Sequence, residues 1–340
     1  MLRDSVPTPM EALLAAELPE GAGWQYEPKW DGFRCIARRD GDRVEMISRS
    51  GKPLGRYFPE VIEILAQVKE KKFVLDGELV IPSEDRLDFE VLQMRLHPAE
   101  SRVRKLAKET PALFMLFDVL QVGVKSFDEQ PLSTRREALE KFFKQNAVDG
   151  LLLSPATADR NVALGWLKRS GGALDGVIAK HLDQPYRFGE RAMVKVKQLR
   201  TADCVVGGFR YGEKKREVGS LLLGLYDKRG LLHHVGFTSA IAAKERAALT
   251  KELEALIEPP GFTGNAPGGP SRWNTERTGQ WKPLKPKLVV EVRYDQVTGR
   301  RFRHGTALLR RRPDKAPKQC TFEQLAPELK PSEIAELFGL

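Results

Sequence analysis

The segment at 27–34, EPKWDGFR, gathers several residue types that could do chemistry. It contains Lys29, Asp31 and Arg34, with Glu27 two residues before the lysine. A lysine amine is a nucleophile in its neutral form, and an arginine binds phosphate through two parallel N–H bonds. The Lys-x-Asp-Gly pattern alone is a weak signal, because at average residue usage it occurs by chance in roughly a tenth of chains of this length. The alternative interpretation of this segment alone is a surface turn.

Further segments with basic or acidic side chains follow along the chain. They are SRSG at 48–51, LDGE at 75–78, FD at 117–118, LDGVIAK at 174–180 and KVK at 195–197. The first lies at a predicted turn, the second ends a predicted strand with a carboxylate, and the third lies in an apolar strand. No glycine-rich phosphate loop of the Walker type occurs, so a bound nucleotide would have to be held in another way. Together these segments are much harder to attribute to chance than the first one alone.

In these segments the chain resembles the covalent nucleotidyltransferase superfamily of ATP-dependent DNA ligases and mRNA capping enzymes. It is most similar to the minimal bacterial DNA ligases of the C type and to the ligase domain of the D type. The resemblance extends from Pro9 to Pro317, and RPDKAP at 312–317 is similar to the family's C-terminal nucleotide-binding motif. It implies an ATP-dependent DNA ligase that forms a lysyl-AMP intermediate, passes AMP to the 5′-phosphate of a nick, and seals the strand by attack of the 3′-hydroxyl.

The resemblance assigns the nucleophile to Lys29 and the phosphate-contacting pair to Lys195 and Lys197. An ammonium cannot attack phosphorus, so such a site must favour the neutral form of the nucleophile. Neighbouring cations are the usual means, and we expect the pair of lysines to supply them. Their charge would also stabilise the pentavalent phosphorus of the transition state.

The resemblance places the two acidic positions of the family at Glu78 and Asp175, where they handle the ribose and a divalent metal. Carboxylate oxygens suit Mg²⁺, with Mn²⁺ as an alternative, and the metal would neutralise the departing pyrophosphate. Many relatives carry Glu at the position of Asp175, so the shorter side chain leaves open whether it binds the metal directly or through water. From residue type alone, a turn- or helix-capping carboxylate is the alternative at both positions.

Four residues match the family's contacts to the nucleoside part of ATP. Glu27 matches the position that reads the adenine amino group, and Phe117 matches the aromatic ring that stacks on adenine. Without the resemblance, Phe117 would be assigned to the core, because aromatic side chains are mostly buried. Arg34 and Arg49 match the arginines that hold the ribose and later the 5′-phosphate of DNA, for which the bidentate guanidinium is suited.

The resemblance assigns Arg312, Asp314 and Lys315 to the β- and γ-phosphates of ATP. These residues lie far from the other motifs in the sequence, in the region after residue 200. The family's chemistry therefore implies that a second domain closes over ATP for the first step and then swings away to grip DNA. We place the hinge at 198–202.

The elements that must position these residues change in character near that hinge. Strands are predicted at 35–38, 44–48, 73–81, 112–120, 176–180 and 193–197. Helices are predicted at 60–71, from apolar residues at a 3.6-residue period, and at 133–144, with Ser133 or Thr134 as the cap. After residue 200, strands are predicted at 204–210, 220–226, 231–237, 288–294 and 306–310, with one helix at 240–257 and a long loop at 259–286.

The predicted fold class is therefore α+β. The resemblance implies a nucleotidyltransferase domain at 1–199, with ATP-grasp-like antiparallel sheets and helices, followed by a small all-β OB-fold barrel domain at 200–340. Five short strands with one helix are also compatible, on pattern alone, with a small five-stranded barrel.

Positive charge is concentrated in the second region. The 340 residues include 56 Lys plus Arg and 46 Asp plus Glu, a formal net charge of +10. Residues 1–199 hold 31 basic and 30 acidic groups, residues 200–340 hold 25 and 16, and 272–318 alone holds 14 and 4. Aromatic residues lie within that basic stretch at Trp273, Trp281, Tyr294 and Phe302. Such a stretch is typical of a polyanion-binding surface, and the resemblance identifies the polyanion as nicked double-stranded DNA. A solvated charged face is the alternative.

Composition excludes several classes of protein. Hydrophobic residues make up 41% and charged residues 30% of the chain, which is typical of a globular protein and not of a disordered one. The longest apolar runs, at 112–117 and 221–226, are far shorter than the roughly 20 residues that span a bilayer, so no membrane partner is expected. No secretory signal is readable, and we expect a bacterial cytosolic protein. Cys35, Cys204 and Cys320 are predicted to be buried free thiols.

Two rival functions remain open from the sequence. A guanylyltransferase or RNA ligase on the same scaffold would differ in using GTP or in joining RNA. A non-catalytic nucleic-acid-binding barrel protein with a degenerate nucleotide domain is the alternative from another class, although Lys29, Glu78, Lys195 and Lys197 are all present. We expect a monomer that works in DNA repair, with other DNA-repair proteins as partners.

Overall fold

The fold is taken from a computed structural model that describes residues 8–82, 89–170, 174–212, 216–268, 280–298 and 300–325. The described residues divide into two compact units, with the boundary between Gln198 and Leu199. In the described ranges no helix is both long and apolar enough to cross a membrane. Trp273, which we predicted to lie on the basic surface, falls outside these ranges.

The first unit combines two sheets with helices. Its strands are β1 (Ala12–Ala15), β2 (Trp24–Trp30), β3 (Phe33–Asp40), β4 (Arg43–Ser48), β5 (Lys72–Val80), β6 (Leu113–Val122), β7 (Lys125–Ser126), β8 (Leu151–Leu153), β9 (Leu174–His181) and β10 (Met193–Val196). Its helices are α1 (Pro59–Gln67), α2 (Phe89–Met94), α3 (Glu100–Glu109), α4 (Leu132–Gln145) and α5 (Arg160–Lys168).

The two sheets of the first unit are mostly antiparallel. One has the strand order β1-β10-β9-β2, and the other has the order β4-β3-β5-β6-β7 with β8 beside β6. Side chains from both sheets share buried clusters, such as Trp30 with Met115 and Ile36 with Met193, so the sheets pack on each other. Helices α1 and α4 cover the second sheet, as Phe142 packs in the same cluster as its strands. Strands covered on both faces are expected to be mostly apolar, and β5 and β6 are buried along most of their length, with Asp76 and Asp118 as buried charged exceptions.

Both predicted helices of the first unit form, but their ends differ from the prediction. Helix α1 ends at Gln67 instead of residue 71, because Val68 has an extended backbone with ψ of 135°. The buried Arg39 guanidinium then donates to the carbonyls of Leu65 and Val68, which have no partner within the helix. Helix α4 begins after Pro131 and has no side-chain cap.

The predicted cap of α4 is therefore wrong. The first free N–H groups of this helix, those of Leu132 and Ser133, donate to the carbonyls of Gln184 and Leu182 at 3.0 Å each. A distant loop satisfies the groups that a serine or threonine hydroxyl would otherwise satisfy.

The second unit is dominated by one curled sheet. Its elements are β11 (Arg200–Tyr211), β12 (Val218–Tyr226), β13 (Leu232–Thr238), α6 (Ala243–Glu254), β14 (Lys282–Pro283), β15 (Val289–Tyr294), β16 (Val297–Thr298), β17 (Arg301–Phe302) and β18 (Ala307–Arg311). The main strand order is β13-β12-β11-β15-β18, with β14 beside β11, while β16 and β17 pair separately.

The edges of this sheet approach each other at one point. Thr238 at the end of β13 bridges Thr306 just before β18, and its hydroxyl donates to the Thr306 carbonyl at 2.8 Å. The sheet therefore curls back on itself without closing into a continuous barrel. Helix α6, shorter than the predicted 240–257, packs Leu249 and Leu253 into the core of this unit.

Candidate active site

Lys29 lies near the end of β2, where it is paired in register with Gly176 of β9. The next residue, Trp30, is buried and donates its indole N–H to the Ser154 hydroxyl at 2.9 Å, which fixes the end of the strand. Strand β10 pairs with the other side of β9 and places Lys195 opposite Ile178. Segments that are separated by about 150 residues thus meet on one small sheet because β9 lies between β2 and β10.

Two glycines allow the close approaches around Lys29. A Cβ on Gly176, whose φ is +135°, would lie 2.1 Å from the Val196 carbonyl oxygen. A Cβ on Gly32 would lie 2.1 Å from the Leu79 carbonyl oxygen and 2.8 Å from Glu78 Cγ. Only glycine fits at such distances. The glycines of the two sequence motifs therefore bring Glu78 and the end of β10 close to the turn that follows Lys29.

Asp175 is a bridge between two of the predicted site lysines. Its Oδ2 lies 2.5 Å from Lys29 Nζ and its Oδ1 lies 2.9 Å from Lys197 Nζ. The carboxylate is 8% exposed, so the pairs are only weakly screened by solvent. The nearest charged partner of Lys29 is thus a carboxylate, whereas the sequence reasoning considered only its cationic neighbours.

The pKa of Lys195 is lowered by burial and by the positive charges around it. Burial lowers its pKa most, and the charges of Lys29, Lys197 and Arg49 lower it further, against a smaller opposing effect of Asp175. The structure thus brings all three predicted site lysines into one electrostatic group.

Glu78 is the second carboxylate of this group. It lies on β5 opposite Arg34 of β3, two residues before the strand ends. Burial raises its pKa to about 8, the charges of Lys29 and Arg34 oppose the rise, and Asp31 and Asp76 add to it. Within the described ranges its carboxyl group makes no hydrogen bond or ion pair, so this group is available to a ligand that can replace its proton.

Phe117 lies on β6 and is half-buried, not part of the closed core. Lys180 Nζ is 4.9 Å from the centroid of its ring and donates to its carbonyl oxygen at 3.2 Å. The same ammonium pairs with Glu27 Oε2 at 2.8 Å, and Gln25 donates to Glu27 Oε1 at 2.7 Å. Glu27, Gln25 and Lys180 are all buried. Lys180 was present in the LDGVIAK segment, but the sequence reasoning gave it no role.

Arg34, predicted to hold the ribose, is bound internally. Its Nε and Nη2 donate to the two oxygens of Asp76 at 3.1 and 2.6 Å, and Nη1 donates to the Met10 carbonyl at 2.5 Å. The Tyr186 hydroxyl donates to the same carboxylate at 2.5 Å. The Arg34 guanidinium is also 5.3 Å from the ring centroid of Phe117. The sequence reasoning gave no role to Asp76 of the LDGE motif, and Tyr186 lies in none of the motifs.

Arg49 lies in the turn after β4 and is well exposed. Its Nε donates to Glu11 Oε1 at 2.8 Å. Its charge reaches Lys195, as the pKa of that lysine shows, so it borders the lysine group.

The three predicted residues of the second unit form a separate group around Asp203 of β11. Arg312 Nη1 donates to Asp203 Oδ1 at 2.9 Å, and Lys315 Nζ lies 3.2 Å from Asp203 Oδ2. Arg312 also donates through Nε and Nη2 to Asp314 at 3.0 and 2.8 Å. These hydrogen bonds lower the pKa of Asp314 to about 2. The sequence reasoning did not single out Asp203.

The carboxylates of the first unit fit a metal that keeps waters or phosphate oxygens as ligands better than one held by an all-protein cage. Across the described residues, no group of three or more His, Cys, Asp or Glu side chains could hold a metal ion. Mg²⁺ usually takes one or two carboxylates and completes its shell with waters and substrate phosphates. Two residues match that kind of donor set: Glu78, whose carboxyl has a pKa raised to about 8 and no partner among the described residues, and Asp175, which pairs with the Lys29 that also acts on Glu78.

Comparisons with known proteins identify the family. The family model described as ATP dependent DNA ligase domain matches residues 1–197, and the model described as ATP dependent DNA ligase C terminal region matches 214–315. The chain is 48% identical over 337 residues to DNA ligase C1 of Mycolicibacterium smegmatis, covering 94% of each. It is 28% identical over 316 residues to the multifunctional non-homologous end joining DNA repair protein LigD of Mycobacterium tuberculosis, covering 92% of this chain but 37% of that protein.

A solved structure shows the same fold. It comes from a study of Lig E DNA ligases as a minimal scaffold for DNA binding, and it matches 89% of this chain and 99% of its own with a TM-score of 0.55 at 21% identity. The predicted α+β fold class, with a nucleotidyltransferase domain followed by an OB-fold region, is confirmed. The prediction of an all-β barrel is wrong in detail, because the second unit includes helix α6 and its sheet stays open in the described residues. The resemblance inferred from the motifs is also confirmed, and the chain belongs to the family of ATP-dependent DNA ligases.

Proposed function

We propose that this ATP-dependent DNA ligase transfers AMP from ATP to Lys29 and then to the 5′-phosphate of a nick in double-stranded DNA. The observation that carries the proposal is the convergence of residues from four separate motifs, namely Lys29, Glu78, Asp175, Lys195 and Lys197. We assign residues 1–199 to the adenylation domain and residues 200–340 to the OB-fold domain that contacts DNA and the outer phosphates of ATP.

In the first step Lys29 Nζ forms a bond to the α-phosphorus, and the bond from that phosphorus to the oxygen of the leaving pyrophosphate breaks. The lysine must lose a proton before it attacks, and Asp175 Oδ2 at 2.5 Å is the nearest acceptor. Lys195 and Lys197 would bind the oxygens of the α-phosphate and offset the charge that builds up there. The lowered pKa of Lys195 is the signature of this shared positive charge.

We propose that Glu78 holds Mg²⁺, or Mn²⁺, with Asp175 reaching it through water. Both Asp175 oxygens already face ammonium groups, which supports the water-mediated contact. A bound divalent metal would neutralise the pyrophosphate as it departs.

The nucleoside would be bound by Glu27, Phe117, Arg34 and Arg49. The half-buried Phe117 ring is held by Arg34 on β3 and by Lys180 on β9. Because Asp76 occupies the Arg34 guanidinium, we assign Arg34 mainly to the support of this ring. The exposed Arg49 is better suited to bind the ribose or the 5′-phosphate of DNA.

Sealing a nick requires only ends with a 3′-hydroxyl and a 5′-phosphate, which arise in DNA repair. The name of the relative LigD connects that protein with end joining, and we propose a repair role for this chain too. We further propose that it acts as a monomer in the bacterial cytosol, with repair proteins as partners. Its three cysteines are buried and unpaired, as suits a reducing compartment.

The experiment is incubation with α-labelled ATP, or GTP, and Mg²⁺, followed by denaturing separation and a chase with nicked DNA. Label from ATP that moves onto the 5′-phosphate of the nick, and that is lost in Lys29→Ala, is expected. Label from GTP alone would favour a guanylyltransferase, and transfer to nicked RNA alone would favour an RNA ligase. DNA binding without any label would favour the non-catalytic barrel protein.

A further inference from the structure

Asp203 lies between the two cations of the RPDKAP motif. Its Oδ1 accepts a hydrogen bond from Arg312 Nη1 at 2.9 Å, and its Oδ2 lies 3.2 Å from Lys315 Nζ. Asp203 is 8% exposed, so bulk water screens these pairs weakly. A single carboxylate therefore holds both cations, one on each oxygen.

Asp203 is itself firmly held. Its backbone N–H donates to Gln324 Oε1 at 2.8 Å, and its carbonyl oxygen accepts from Gln324 Nε2 at 2.8 Å. Asp203 lies on β11, which pairs with β12 and with β15 over most of the length of those two strands. A carboxylate fixed in this way can order two long flexible side chains before a ligand arrives, and the entropy of ordering them is then not lost on binding.

The two cations keep donors for a ligand. A guanidinium has five N–H groups. Arg312 uses three of them, two toward Asp314 and one toward Asp203, and no described residue accepts from the others. The Lys315 ammonium directs one edge at Asp203 and its side chain remains 31% exposed. Each cation is thus anchored on one side and open on another.

We propose that Asp203 is a positioning residue for the first step, which presets Arg312 and Lys315 as a pair that binds the β- and γ-phosphates of ATP. The inference rests on the proposed function, which assigns those two cations to the triphosphate. Charge alone predicts the opposite effect, because removing an anion beside two cations would strengthen their attraction for ATP. A slower first step after loss of this carboxylate would therefore indicate positioning, whereas a faster one would indicate an effect of charge alone.

The test is a single-turnover comparison of wild type and Asp203→Asn in two reactions. The first is formation of lysyl-AMP from ATP, and the second is sealing of a nick that already carries AMP on its 5′-phosphate. We expect lysyl-AMP formation to slow by about tenfold or more, the order of loss that misplaced binding groups cause. Sealing of the pre-adenylated nick, which needs no triphosphate, should stay within about twofold of wild type.

Glu291→Gln is the matched control, because Glu291 lies opposite Asp203 in register and pairs with Arg310 outside the motif. It removes a negative charge that also acts on Arg312, but it removes no hydrogen bond from Arg312 or Lys315, so neither reaction should slow. If Asp203→Asn does not fold, Gln324→Ala loosens the support of Asp203 without removing its charge, and should slow the first step alone.

Equal losses in both reactions would show that Asp203 has a purely structural role, and an unchanged or faster first step would also overturn the inference. Wild-type protein that forms no lysyl-AMP would instead refute the proposed function. The two failures are therefore distinguishable.

Discussion

Each of the two units contains a buried carboxylate that bridges two cations. In the first unit Asp175 bridges Lys29 and Lys197, with distances of 2.5 and 2.9 Å. In the second unit Asp203 bridges Arg312 and Lys315, with distances of 2.9 and 3.2 Å. Both carboxylates are 8% exposed. Burial and geometry are nearly matched, so any difference in their roles must come from the chemistry of the cations they hold.

The cations of the two clusters have different proposed tasks. As the proposed nucleophile, Lys29 would have to give up a proton before it attacks, and the neighbouring carboxylate of Asp175 would both stabilise the ammonium and accept its proton. Arg312 and Lys315 are assigned to phosphates and act as cations throughout, so their carboxylate can only order them. The role of a carboxylate between two cations therefore depends on whether those cations must lose a proton or stay charged.

The largest effect is expected from Lys29→Arg. Arginine keeps the positive charge that pairs with Asp175, so the fold should be retained, but it does not deprotonate and cannot form lysyl-AMP. Labelling with α-labelled ATP should fall by more than about a thousandfold. The thermal midpoint of the variant serves as the control for folding. Label retained near the wild-type level would show that AMP is attached elsewhere.

A smaller effect should separate the two bridging carboxylates by their metal dependence. Asp175→Asn should raise the Mg²⁺ concentration needed for the half-maximal rate of lysyl-AMP formation by about tenfold, as loss of an outer contact to a metal does. Asp203→Asn should lower the maximal rate and leave that concentration unchanged. An equal shift of the Mg²⁺ dependence in both variants would contradict the distinct roles assigned to the clusters.

The pH dependence of lysyl-AMP formation should also arise in the first unit, at Glu78. Glu78 has its pKa raised to about 8, so below that pH it holds a proton and cannot bind a metal. At limiting Mg²⁺ the rate of lysyl-AMP formation should rise from pH 7 to above 8. More Mg²⁺ should move the midpoint to lower pH, because the metal competes with the proton. Glu78→Gln should remove that metal-dependent shift, and a wild-type midpoint that ignores Mg²⁺ would assign the titration to another group.

The smallest effect concerns DNA binding by the second unit. Arg293 and Arg300 are exposed and lie within the basic stretch. Each one that contacts a phosphate contributes about 0.9 to the slope of log affinity against log salt concentration. We expect Arg293→Ala and Arg300→Ala each to flatten the slope by up to that amount. Lys228→Ala, an exposed site outside the stretch, is the control, and equal slopes for all three variants would place the DNA surface elsewhere.

Much of the fold could be predicted from the sequence because apolar runs mark strands locally. The prediction of strands at 204–210 and 220–226 lies within β11 and β12, and the motifs pointed to the residues that meet around Lys29. Such features depend on neighbours in sequence or on residue types that recur in a fixed order.

The remaining features depend on contacts between distant segments. The Tyr186 hydroxyl reaches Asp76 across 110 residues, and the carbonyls that cap α4 come from a loop about 50 residues away. Asp203 lies in an apolar strand, and only the fold places it beside a motif 109 residues later. No local pattern encodes these partners, so sequence reasoning found Arg34 and Arg312 but not Asp76 and Asp203, the carboxylates that hold them.

The most direct test of the central claim is to map the site of AMP attachment by peptide mass spectrometry after reaction with ATP and Mg²⁺. Peptides should be prepared under mildly alkaline conditions, because phosphoramidates are labile to acid. AMP on the peptide that contains Lys29, and on no other lysine, is the predicted result. AMP on Lys195 or Lys197 would contradict the assignment of Lys29 as the nucleophile. It would also contradict the proposed role of Asp175 as the acceptor of the Lys29 proton.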